Sequence, residues 1–231
     1  MIVFDPVYFI FVGPAFLLAM FAQMRVKSAF AQWSQVGSSA RLPGREVARR
    51  VMQHAGVGGV QIEPSQGFLS DHYDPSRRIL RLSPDNYEGT SIAAAAIAAH
   101  EAGHAIQHAQ AYAPLKLRSA AVPAATVGSS LSVICFFAGM FLQMQPLLWV
   151  GVIAFSAVVL FQLITLPVEF DASRRAKAVL VDSGIVHLEE EEKAVAKVLN
   201  AAALTYVAAA IQSILTLLYF LYRSGLIGGR R

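Results

Sequence analysis

Residues 119–168 read SAAVPAATVGSSLSVICFFAGMFLQMQPLLWVGVIAFSAVVLFQLITLPV, fifty consecutive positions without Asp, Glu, Lys or Arg between Arg118 and Glu169. A helix needs about 20 apolar residues to cross the hydrocarbon core of a bilayer, so the run holds two spans. Gln143, Gln145 and Pro146 mark the turn between them. Outward from this hairpin, residues 198–222 form a second uncharged run of 25, enough for one tilted span, and residues 6–24 suit another. Four spans are expected, at 1–25, within 119–168 (two) and at 198–222. Asp5 precedes the first and Arg25 and Lys27 come after it, the reverse of signal-peptide order, so it reads as a retained anchor.

Composition agrees with this reading. Of 231 residues, 55% are apolar and 15% charged, against the roughly 25% charged residues of an average soluble domain. The formal charge of +4 is too small an excess to argue for nucleic acid, and a single cysteine, Cys135, excludes an internal disulfide framework. Eleven of the 19 Lys and Arg fall between the first and second spans, five between the third and fourth, and none in the hairpin turn. The positive-inside bias therefore puts both large inter-span segments, 41–118 and 169–197, in the cytoplasm, while Arg223, Arg230 and Arg231 pull mildly the other way.

Segment 41–118 has the patterning of a small α+β domain. Pro43 opens and Gly56 ends a short amphipathic helix whose basic face, Arg45 and Arg49, is either solvated or set against anionic lipid. Strands are expected at 60–62, 67–69 and 79–82, with Asp74-Pro75-Ser76 as a hairpin turn and Ser83-Pro84-Asp85 closing the last. Strand 79–82 lies just upstream of the next helix, where it could offer a free edge to an extended peptide. Residues 91–111 are Ala-rich helix. Glu101, His100, His104 and His108 make it a poor fifth span, so it is expected to be a buried helix of this domain.

That helix carries His100-Glu101-Ala102-Gly103-His104. Residues four apart stack on one helical face, so both imidazoles can ligate one Zn2+ while Glu101 reaches the water on it as general base. A catalytic zinc wants three protein ligands. Gln107 and Gln110 stand where a metzincin would continue with Gly and His, and His108 would require three successive turns to meet one tetrahedral ion. Topology supplies a better third ligand. The chain leaving the hairpin emerges on the side where the helix before it lies, and the first charge there is Glu169.

The runs 71–75 (DHYDP), 80–84 (LRLSP), 98–107 (AAHEAGHAIQ), 113–119 (APLKLRS), 168–176 (VEFDASRRA) and 200–208 (NAAALTYVA) resemble the YugP-type family of bacterial neutral zinc metallopeptidases, over roughly residues 40–210. The resemblance implies a mainly α, multi-pass protein of the bacterial plasma membrane, with four transmembrane helices and a small zincin-like α+β domain between spans one and two. It also implies a peptidase with His100, His104 and Glu169 on Zn2+ and Glu101 as base. More distantly the layout is similar to the HtpX and CAAX-prenyl membrane peptidases, in which an Asp comes four residues after the ligand Glu. Here position 173 is Ser, and Asp171 is the nearest carboxylate that could hold a ligand imidazole in its tautomer. Arg174, Arg175, His72, Tyr73 and Tyr206 are candidate oxyanion donors by residue type. Expected partners are a protein or peptide substrate and the lipid bilayer, with a membrane-protein partner or homo-oligomer left open and nucleic acid excluded. The alternative is a non-catalytic zinc-binding membrane scaffold assisting a partner complex, which Glu101 disfavours. A transporter is disfavoured by spans without ionisable residues.

Overall fold

In chain order the elements are α1 (Pro6–Ser34), α2 (Gly44–His54), β1 (Gln61–Pro64), β2 (His72–Asp74), β3 (Ile79–Leu82), α3 (Pro84–Glu88), α4 (Ile92–Ala109), α5 (Ala113–Leu142), α6 (Gln145–Asp182) and α7 (Glu189–Arg223). The structure, a computed structural model, describes residues 5–67 and 70–227. It is mainly helical, with one three-stranded sheet and four helices, α1, α5, α6 and α7, long and apolar enough to cross a membrane. Each apolar run has become a helix, but all four helices extend past their runs. α1 continues to Ser34, α5 begins at Ala113, α6 passes Glu169 and ends at Asp182, and α7 begins at Glu189, so segment 169–197 is mostly helix. The reason is that Ala, Arg, Lys, Gln and Glu sustain a helix after hydropathy has fallen. Between α5 and α6 the chain reverses at Gln143, which takes a left-handed φ of 54° while the Met144 N–H bonds to the Gly139 carbonyl at 2.9 Å.

The chain divides into two compact units. The first comprises Met1–Ala22, Leu117–Leu166 and Thr205–Arg231. Its core is Phe136, Leu148, Val152, Tyr219 and Phe220, with the Phe136 and Phe220 rings stacked 3.7 Å apart. Its outer surface is apolar too, with Ile10 72%, Phe141 74% and Ile153 72% exposed, an arrangement that suits lipid and not water. Asp5 ties its ends together by accepting from the Val7 N–H at 3.0 Å and the Tyr219 hydroxyl at 2.9 Å, and it pairs with Arg223.

The second unit comprises Gln23–Lys116 and Pro167–Leu204 and has a core of the ordinary water-soluble kind. Val47, Val51 and Met52 of α2, Leu80 and Leu82 of β3, Leu180 of α6 and Val195 and Leu199 of α7 close around α4. Helix α4 begins as expected at Ser91, whose hydroxyl accepts from the Ala94 N–H at 3.1 Å, and its alanines are buried on nearly every side. On the basic face of α2, Arg45 pairs with Glu88, while Arg49 and Arg50 are half-exposed and pair with Glu46.

The sheet departs from expectation in two ways. Phe68 and Leu69 of the strand expected at 67–69 lie outside the described residues, and the second strand is His72–Asp74. Asp71 decides this. Its carboxylate accepts from the Ser83 N–H at 2.7 Å and the Asn86 amide at 2.9 Å, which pins the start of β2 beside the end of β3. The Asp74 turn then closes the β2–β3 hairpin, with Oδ1 accepting from the N–H groups of Ser76 and Arg77. Second, the strand order is β1-β3-β2, with β3 parallel to β1 and antiparallel to β2. Both edges of Ile79–Leu82 are therefore paired, and it offers none to a peptide. Its alternation explains the central place, since Leu80 and Leu82 are fully buried and Ile79 and Arg81 half-buried. Ser83, expected only to stop the strand, also precedes α3 with Pro84 in its first turn.

Candidate metal centre

The site is made by two helices of the second unit, α4 and the part of α6 that outlasts its apolar run. Their approach depends on Gly103. A Cβ at that position would stand 2.7 Å from the Ala172 carbonyl oxygen, so only glycine lets the two backbones touch there. His100, Gly103, His104 and Gln107 share one face of α4 by their three- and four-residue spacing, as do Glu169, Ala172 and Ser173 on α6.

Across this contact the Nε2 atoms of His100 and His104 lie 3.2 and 3.6 Å from Glu169 Oε2. The two rings are 4.9 Å apart and nearly perpendicular, and the three candidate ligand atoms all lie within 4.8 Å of one another. Two donors about 2.0–2.1 Å from one tetrahedral zinc would stand about 3.3–3.4 Å apart, so the two distances to Glu169 fit such an ion. The donor set, two imidazoles and a carboxylate, suits zinc chemically. Glu169 is 2% exposed and Glu101, between the histidines in sequence, is also buried. Burial of Glu169 without a cation beside it would be costly.

Each imidazole is held from behind. His100 Nδ1 meets the Ser173 hydroxyl at 3.1 Å, and His104 Nδ1 meets Gln107 Oε1 at 3.0 Å. Gln107 is fully buried and donates through Nε2 to the Val168 carbonyl at 2.8 Å and to Asp171 Oδ2 at 2.9 Å. Asp171 is itself paired with Arg174 and Arg175. So Asp171, expected to hold an imidazole directly, reaches His104 only through Gln107. Ser173 occupies the orienting place for His100. Sequence reasoning gives that role to neither Gln107 nor Ser173, although the signal is local: Gln107 is three residues after His104 and Ser173 four after Glu169.

The remaining candidates are not among the three clustered ligand atoms. His108 faces Tyr73, its Nδ1 2.8 Å from the phenol oxygen, and is not in the ligand cluster. Burial pushes the Tyr73 phenol above its ordinary pKa. Arg174 is exposed, Arg175 also bonds the Gln110 amide oxygen and lies over the Tyr112 ring, and the exposed His72 ring faces the Ser70 carbonyl. Tyr206 belongs to the first unit.

Comparison with known proteins agrees with the geometry. The family model described as "Putative neutral zinc metallopeptidase" matches residues 8–225. The chain is 48% identical over 213 residues to the "Putative membrane protease YugP" of Bacillus subtilis (strain 168), an alignment that covers 92% of this chain and 94% of that protein. No solved structure matches the chain. The chain therefore belongs to the family that this model describes.

Proposed function

Starting from that membership, we propose that the protein is a membrane-embedded zinc endopeptidase in which His100, His104 and Glu169 hold the ion and Glu101 moves the proton. The observation that carries the reading is the convergence of both Nε2 atoms on one buried Glu169 oxygen, with both Nδ1 atoms already engaged elsewhere. A zinc ion there would supply Lewis acidity toward the peptide carbonyl and lower the pKa of its water to about 7. Glu101 takes the proton from the attacking water and returns it to the departing amine. Ser173 and Gln107 keep the two imidazoles turned toward Glu169. Val168 and Asp171, on either side of Glu169, couple Gln107 to the same helix.

In this reading 41–118 and 169–197 form a zincin-like catalytic domain on the cytoplasmic side of the bacterial plasma membrane. The spans at 1–25, 119–168 and 198–222 anchor it, and the substrates are protein or peptide segments near that surface. The asymmetry of Lys and Arg supports the orientation. In a Cys135→Ala background, a cysteine introduced between positions 71 and 85 should be labelled from the cytoplasmic side only, and one at Gln145 from outside only. Labelling on the opposite sides would reverse the orientation.

The activity is tested by purifying the full chain and measuring zinc together with hydrolysis of an unfolded reporter protein. One zinc per chain and chelator-sensitive cleavage are expected. Zinc without any cleavage would transfer the chain to the non-catalytic scaffold class, and absence of zinc binding would remove both readings.

A further inference from the structure

We infer that Gln107 is a positioning residue that dictates the tautomer of His104, so that α6 supplies both the carboxylate ligand and, through one amide, the direction in which His104 presents its lone pair. The inference rests on the metal reading above but is carried by a separate observation, the set of atoms around the Gln107 amide.

A glutamine amide has chemically different ends, a nitrogen with two donors and an oxygen that only accepts. Their neighbours tell them apart. One end of Gln107 faces the Val168 carbonyl oxygen at 2.8 Å and Asp171 Oδ2 at 2.9 Å. The carbonyl has no hydrogen to give, and Asp171 is paired with two arginines, so both are acceptors. Turning the amide over would press its oxygen against two others inside 3 Å, at a side chain with no exposed surface for water to reach. The amide therefore has one orientation. Its oxygen faces His104 Nδ1 at 3.0 Å and can be satisfied only by an N–H there. In the neutral ring Nε2 is then bare, and it is Nε2 that lies 3.6 Å from Glu169.

His100 is held differently. Its partner is the Ser173 hydroxyl, which can donate or accept and imposes no tautomer. One histidine is thus preset and the other adaptable. Outer partners of this kind are worth about 10–100-fold in metal affinity.

The test uses the full chain in detergent. Nitrogen-15 NMR of histidine-labelled, metal-free protein at alkaline pH, with His104 assigned by its loss in His104→Ala, should show His104 carrying its proton on Nδ1. Gln107→Met should abolish that preference, whereas Ser173→Ala should leave it intact. Titration with zinc chloride against a competing chelator should show affinity about 10–100-fold lower in Gln107→Met. An Nε2–H form of His104 in the unsubstituted chain would overturn the inference, and so would a folded Gln107→Met that binds zinc within twofold of the parent. The tautomer measurement needs neither metal nor peptide cleavage, so it stands whether or not the protein is a peptidase.

Discussion

Two glycines, one in each unit, let helices press backbone to backbone. A Cβ at Gly128 of α5 would lie 2.5 Å from the Ala154 carbonyl oxygen of α6, and one at Gly103 of α4 would lie 2.7 Å from that of Ala172, also of α6. The contacts are alike and their surroundings are not. Around the first, Val127 and Ile153 turn outward and are mostly exposed, with no ionisable side chain near them in sequence. Around the second, His104, Gln107, Glu169 and Asp171 are buried and bonded to one another. Close approach is a general packing device, useful in lipid because small residues let helices meet there. It becomes a candidate catalytic device only where the residues one turn to either side are candidate metal ligands and their partners.

The sharpest way to break this comparison is at the chemistry itself. Glu101→Gln should lower kcat by about 10²–10⁴-fold with zinc content unchanged if, as proposed, the carboxylate acts on water and is not a ligand. Loss of zinc from that variant would place Glu101 among the ligands instead. Next in size is the contrast between the glycines. Gly103→Ala must move α4 from α6 by several tenths of an ångström and should weaken zinc binding about tenfold or more in chelator competition. Gly128→Ala should leave zinc affinity within about twofold while lowering thermal stability by about 1–3 kcal/mol, the usual range for overpacking. Equal losses of zinc affinity in the two variants would mean that the units are coupled and the comparison false.

A third measurement exploits the two tryptophans, Trp33 in the second unit and Trp149 in the first. A ligand that binds only the folded state at 100 times its Kd adds about 2.7 kcal/mol of stability. Removing zinc should therefore lower the melting transition reported by Trp33 in a Trp149→Phe chain more than that reported by Trp149 in a Trp33→Phe chain. The smallest effect is expected from Tyr73→Phe, which deprives His108 of its hydroxyl partner at a cost of about 0.5–1.5 kcal/mol. Zinc affinity and kcat should stay within about twofold, and a larger fall in either would bring His108 into the site.

Much of this was legible in the chain. The apolar runs declared four long helices because a bilayer demands some 20 such residues in succession, a local condition that needs no partner. His100 and His104 declared a shared face for the same reason, since helical spacing is local. Glu169 could be reached because a helical hairpin returns the chain to the end from which it departs. Other features depended on contacts between distant segments. Residues 72–74 form a strand because Asp71 bonds Ser83 and Asn86, and β3 is central because β1 closes its second edge. Gln107 and Ser173, three residues after His104 and four after Glu169, stand in plain view in the chain, yet neither shows which nitrogen it will meet. That was decided only when Gly103 brought α4 against Ala172, because the rotation and separation of two helices are set by packing across them, and neither helix's sequence alone carries that distance.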